Sequence, residues 1–156
     1  MNVIFVCTGN TCRSPLAEGI ARKIATERGI EGITFSSAGT SAFDGSPASD
    51  GAILIGLERG IDLSRHRARS LNGAVTDGDT ILLGLAASHL AAIRGVAPNA
   101  RAYLLSDYAS HGTLQGSVSD PFGGELSAYR EAADEIESLI GEALVRLAAE
   151  PSSGPR

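Results

Sequence analysis

Cys7 and Arg13 lie six positions apart in the stretch Cys-Thr-Gly-Asn-Thr-Cys-Arg-Ser-Pro, residues 7–15. On a loop that curls, that spacing brings a thiol nucleophile opposite a planar guanidinium fork, which matches two oxygens of a phosphate at once. The apolar run Val3 to Val6 before it reads as a strand buried on both faces. Gly9 and Asn10 tolerate the left-handed backbone of a tight cradle, and Pro15 suits the first turn of a helix. Strand, loop and helix start therefore aim free N–H groups into one small space, which suits an anion and most naturally a phosphate. The same field favours Cys7 as the thiolate. Ser14 can donate a hydroxyl hydrogen bond to the sulfur, which eases its departure in a second step. The plainer reading, an inert cysteine ending a core strand, is the commoner fate of lone cysteines. It leaves Arg13 and the glycine unexplained.

Asp120-Pro121-Phe122-Gly123-Gly124 is the second chemical motif. Proline fixes the backbone beside the carboxyl group, and a preset carboxyl group is what a general acid needs. Alone, it would read as an ordinary Asp-Pro turn.

Taken together, the two motifs resemble the phosphate-binding loop and the acid motif of the low-molecular-weight protein tyrosine phosphatases. The resemblance implies a cysteinyl-phosphate mechanism. Cys7 attacks phosphorus, the loop from Thr8 through Gly9, Asn10, Thr11 and Cys12 to Arg13 binds the phosphoryl oxygens, and Asp120 protonates the leaving group and then activates water. Ser14 assists departure of the sulfur. No metal and no cofactor is implied. The loop is most similar to that of the protein arginine phosphatase branch, which carries threonine at the position of Thr11 where tyrosine-directed members carry a larger aliphatic residue. Gly123 also matches that branch. The implied substrate is phosphoarginine in proteins, with phosphotyrosine as the alternative and a non-catalytic phosphate-binding module as a second one.

Further residues enter on the same resemblance. Phe43, in the loop from Gly39 to Pro47, and Phe122 are expected to wall the cleft with Thr11. The segment from Gly60 to Arg69 resembles one that supports the loop through His66, while Arg65, Arg67 and Arg69 are expected either to pair with surface carboxylates or to form a solvated basic turn. Arsenate reduction on this fold would need cysteines beyond position 12, and the chain has none. Cys12 reads as a small buried residue or as a thiol that traps oxidised Cys7 in a disulfide. Two departures concern the cleft rim. Seven residues separate Gly112 from Asp120, more than expected, and Gly84-Leu85-Ala86-Ala87 lacks the Met and Thr found in family members.

The elements that must position these groups alternate strand and helix. Leu16, Ile20 and Ile24 give one apolar face to a helix that Gly29 can end. Strands follow at 34–37, 80–85 and 101–105. Ser46-Pro47 is expected to open a second helix and Ser88 to cap a third. Residues 106–125 read as a long loop, and Ser127 to Ala148 as a closing helix whose Gly141 suggests close packing. The expected fold is a three-layer α/β sandwich with helices on both faces of a parallel sheet, ligands binding at the carboxyl ends of the strands. The resemblance adds the order 2-1-3-4 for a central four-stranded sheet.

The whole chain of 156 residues, 43% hydrophobic, suits one domain over 1–149 with a disordered tail over 150–156. A net charge of -5 argues against nucleic-acid binding. His66, His89 and His111 lack paired ligand spacing. No stretch has the length of a membrane span, and no secretion pattern stands at the start, so a cytoplasmic monomer acting on phosphorylated proteins is expected.

Overall fold

Strand β1, Asn2–Cys7, lies inside a four-stranded sheet of order β2-β1-β3-β4 in which every neighbour is parallel. The computed structural model describes residues 1–72 and 79–151. Its remaining strands are β2, Thr34–Gly39, β3, Thr80–Gly84, and β4, Arg101–Leu104. Helices follow in the order α1, Arg13–Glu27, α2, Asp50–Glu58, α3, Ala87–Val96, α4, Leu105–Ser110, and α5, Leu126–Ala149.

The alternation of side chains along β1 builds the three layers. Val3 and Phe5 point into the larger core with Leu16 and Ile20 of α1 and Ile136, Ile140 and Leu144 of α5. Ile4 and Val6 point into a smaller core with Leu82 and Ile93, the latter from α3. A strand apolar at every position from Val3 to Cys7 is what two covered faces require. The register levels the strand ends that matter: Cys7 pairs with Gly39, and Val6 with Gly84. Helix α1 ends as its sequence suggests, with Gly29 at φ 68° two residues beyond Glu27.

Several boundaries differ from expectation. Helix α2 starts at Asp50, capped by Ser49, whose Oγ accepts the Ala52 N–H at 3.3 Å. Ser46 cannot serve as the cap because its carbonyl accepts the Ala68 N–H at 2.7 Å, which keeps 46–48 extended beside that segment. Ser88 lies inside the first turn of α3, where His89 takes the capping role by accepting the Ala86 N–H on Nδ1 at 3.0 Å. The long loop is shortened by α4, a single helical segment closed by His111 in the left-handed region. Glu150, assigned to the tail, is held by the Tyr108 hydroxyl at 3.0 Å and by Arg101 at 3.2 Å. The tail beyond Pro151 lies outside the described residues.

Two helical glycines show opposite surroundings. A Cβ on Gly51 would stand 2.5 Å from the Tyr129 ring, in the packing between α2 and α5. A Cβ on Gly141 would meet only the tip of Arg28 at 3.3 Å, so the close packing expected there is absent. Helix propensity favours alanine by about 1 kcal/mol at both sites, while overpacking a buried ring costs about 1–3 kcal/mol. In urea unfolding, Gly141→Ala therefore gains up to about 1 kcal/mol, whereas Gly51→Ala loses about 1 kcal/mol or more.

Candidate active site

The loop after β1 is built by bonds that pull its carbonyls outward. The carbonyl of Cys7 accepts from Thr40 N–H, that of Thr8 from Ser41, and that of Thr11 from Ser49, each at 2.9 Å. The Asn10 carbonyl accepts from His66 Nε2 at 2.7 Å. A trans peptide points its N–H opposite to its C=O, so amides following outward carbonyls turn inward. Gly39 makes room for this, because a Cβ there would lie 2.5 Å from the Thr8 carbonyl oxygen.

Asn10 holds the turn itself. It is fully buried and left-handed at φ 56°, a conformation asparagine tolerates better than most residues. Its Oδ1 accepts the Arg69 N–H at 3.0 Å and its Nδ2 donates to Ser14 Oγ at 2.8 Å. Ser14 Oγ then lies 2.9 Å from Cys7 Sγ. With its oxygen occupied by the Asn10 donor, the Ser14 proton is available to the sulfur, and a thiolate can only accept.

A cavity of about 250 Å³ opens on this loop, lined by Cys7, Thr8, Gly9, Thr11, Cys12, Arg13, Asp120 and Phe122. Buried Arg13 donates through Nη1 to the Val118 carbonyl at 3.0 Å, and its Nη2 stands 3.6 Å from Asp120 Oδ2. Val118 is fixed in turn by donating its own N–H to the Leu85 carbonyl at 2.9 Å. Asp120 is half-exposed, and its Oδ1 accepts the Phe122 N–H at 3.1 Å, which orients the carboxyl group. A nucleophile, a guanidinium and a carboxyl group thus share one cavity above a ring of inward amides. Such a set can bind a phosphoryl group, attack it and protonate what leaves.

Phe122 stands in the cavity wall, but Phe43 does not. Phe43 is 84% exposed in a turn closed by the Ser46 N–H on its carbonyl, and it lies outside the lining. His66 supports the loop as expected. Two arginines of its segment bind backbone and hydroxyl oxygens rather than carboxylates: Arg69 donates to the Ser37 carbonyl and Ser36 Oγ, and Arg67 to the His66 carbonyl, whereas the Arg65 charge acts on the surface carboxylate of Asp62. Cys12 Sγ is buried beside Ser49 Oγ at 3.3 Å and Tyr129 OH at 3.6 Å, and both cysteines are free thiols. The Tyr129 hydroxyl is pushed up in pKa, chiefly by burial. Among the described residues no group of three or more His, Cys, Asp or Glu could hold a metal, and no helix is long and apolar enough to cross a membrane.

The sequence of the chain matches the low molecular weight phosphotyrosine protein phosphatases over residues 2–153. The chain belongs to this family. It is a phosphatase of the cysteine-dependent, protein-directed kind. A protein-arginine-phosphatase of Geobacillus stearothermophilus is 37% identical over 150 residues, covering 95% of this chain and 97% of the relative. A low molecular weight protein-tyrosine-phosphatase, PtpB of Staphylococcus haemolyticus, is 32% identical over 142 residues, covering 91% and 96%. Among solved structures, the YwlE arginine phosphatase superposes with a TM-score of 0.90 at 30% identity, over 96% of this chain and 97% of that one. That structure is a cysteine-to-serine mutant whose active-site serine is phosphorylated.

His89 is the site residue that sequence reading missed. It is 1% exposed, and its Nε2 lies 2.9 Å from Thr8 Oγ1. Burial first, and then the neighbouring Arg13 cation, lower its pKa to about 4, against a smaller opposing effect of Asp120. The unfolded chain protonates this histidine near 6.5 and the folded chain only near 4. Above 6.5 both states are neutral and the residue adds no pH dependence; as pH falls from 6.5 to 4 the unfolded state gains a proton the folded state lacks. Stability therefore drops across that window, by up to about 3 kcal/mol, and levels off below it. His89→Gln is expected to flatten that part of a urea-derived stability curve measured between pH 7 and 4.

Proposed function

We propose that this phosphatase works through a phosphoryl group carried on Cys7 and that its preferred substrate is phosphoarginine in proteins. The observation that carries the mechanism is the single cavity holding Cys7 Sγ, Arg13 and Asp120, with Ser14 Oγ 2.9 Å from the sulfur. Cys7 attacks phosphorus in line, and the inward amides and Arg13 take up charge on the equatorial oxygens. Asp120 gives a proton to the leaving group, and its carboxylate then removes one from the attacking water. The Ser14 hydroxyl stabilises the departing thiolate. The phosphorylated serine in the active site of the similar arginine phosphatase supports a covalent phosphoryl step at this position.

Substrate choice rests on the cavity wall. A phosphoarginine guanidinium is a cation with several N–H donors, and the carbonyl oxygen of the Asp120 carboxyl group, which still accepts while that group holds its proton, and the Thr11 hydroxyl are acceptors on that wall. A flat phenol gains less from them. Two arginine phosphatases, at 37% and 33% identity, are among the similar relatives. A second reading, phosphotyrosine, is favoured by one feature: the Phe122 ring in the same wall offers an aromatic surface. Free thiols at both cysteines suit a reducing, cytoplasmic setting.

Cys7→Ser should lose at least about 10³-fold of the activity on an aryl phosphate, and Thr11→Ile should move the kcat/KM ratio of phosphoarginine to phosphotyrosine peptides about tenfold or more toward phosphotyrosine. An unchanged ratio in the Thr11 variant would sink the arginine assignment and leave the mechanism standing. The two thiols also give a redox expectation. Peroxide inactivation should reverse with reductant in the wild type and reverse less completely in Cys12→Ser, since overoxidation of an untrapped sulfenic acid is permanent. Assaying residual activity after a peroxide and dithiothreitol cycle checks it.

A further inference from the structure

His89 is buried on α3, yet both of its ring nitrogens are committed. Nδ1 accepts the Ala86 N–H at 3.0 Å, and a backbone amide can only donate. Nδ1 is therefore unprotonated in this arrangement, and the proton of the neutral ring sits on Nε2. That proton faces Thr8 Oγ1, 2.9 Å away. Thr8 is the residue after Cys7 and lines the same cavity. A hydroxyl oxygen that accepts one hydrogen bond keeps its own proton for another acceptor.

We propose that His89 is a positioning residue that turns the Thr8 hydroxyl into a donor aimed at the phosphoryl site. The Nε2–H of His89 fills one lone pair of Thr8 Oγ1, so the Thr8 O–H is left to donate to a phosphoryl oxygen, beside the amides and Arg13. With an unbonded Thr8, that hydroxyl could instead rotate and present its lone pairs to an anion, which repels. The proposal rests on the reading of this loop as the phosphoryl site, and it extends that reading to a side chain 81 residues downstream of Thr8.

The arrangement requires a neutral ring. An imidazolium would set an Nδ1 proton against the Ala86 N–H and break that bond. Two charged groups act on the ring, Arg13 from the start of α1 and Asp120 from the loop before α5, and they oppose one another. Burial and Arg13 prevail, so the ring stays neutral until about pH 4.

A double-mutant cycle between Thr8→Val and His89→Leu tests the coupling, read in kcat/KM on an aryl phosphate and in the dissociation constant of orthovanadate, which needs no turnover. Each single variant is expected to lose about tenfold in both, the size of one well-placed hydrogen bond, and the double variant no more than either single. His89→Gln, whose amide can both donate and accept, should restore most of the His89→Leu loss and remove the decline in kcat/KM that protonation of His89 causes near pH 4. Additive losses in the folded double variant, or full activity in His89→Leu, would overturn the proposal. Should His89→Leu fail to fold, ¹⁵N spectra of the wild-type imidazole decide: a protonated Nε2 with bare Nδ1 at pH 7 supports it, and the opposite tautomer refutes it. Vanadate binding without any turnover by the wild type would count against the phosphatase mechanism and leave this coupling intact.

Discussion

The loop after β1 works because its carbonyls are satisfied from outside. Buried backbone polar groups must find partners, and a loop that turned both its N–H and its C=O groups inward would present an anion with as much repulsion as attraction. Four donors from three separate segments, the adjacent Thr40 and Ser41, then Ser49, then His66, take the carbonyls of Cys7, Thr8, Thr11 and Asn10. Each such bond contributes about 1 kcal/mol net, but its larger effect is orientation, since it sets which end of the peptide dipole faces the cavity. The left-handed turn at Asn10 is the local cost of this arrangement. It is offset by three hydrogen bonds at one buried residue, to His66, Arg69 and Ser14.

The acid reaches the nucleophile through the same kind of tie. Asp120 sits on a segment with little regular structure of its own, yet two residues earlier Val118 is held from both sides. Its N–H grips the end of β3 at Leu85, and its carbonyl receives Arg13. Arg13 therefore has two jobs. One guanidinium nitrogen anchors the acid loop, and the other points toward Asp120 and the cavity. The parallel sheet makes this economical, because β1 and β3 end side by side, and groups attached to those ends meet however far apart they lie in the chain.

How much of this was legible in the sequence depends on whether a side chain or the backbone carries the information. Strand β1, the cradle and the trio of Cys7, Arg13 and Asp120 could be read because their residue types are unusual in combination, and the sheet order came with the family resemblance. Val118 could not be read, since a backbone carbonyl leaves no mark on residue identity. Ser46-Pro47 carried a correct local signal for a helix start that a tertiary bond overrode, moving the cap to Ser49. Phe43 is the reverse case. The family resemblance implied a cleft wall there, but the turn around it leaves the ring in solvent. His89 lacked any paired spacing, so it read like any solitary histidine until the fold brought it to Thr8.

Two histidines end up touching the one loop, and they act on different parts of it. His66 donates to a backbone carbonyl, so it helps set the shape of the cradle. His89 donates to a side-chain hydroxyl, so it helps set what that shape presents. The first kind of contact is available to any loop of this conformation, whatever its side chains. The second exists only because residue 8 is a threonine, and it connects helix α3, on the far face of the sheet from α1 and α5, to the cavity that α1 opens. A helix with no residue in the cavity lining thereby acts on the anion site through one hydrogen bond. The bond is effective because the ring behind it is desolvated, neutral and locked to one tautomer by the Ala86 amide.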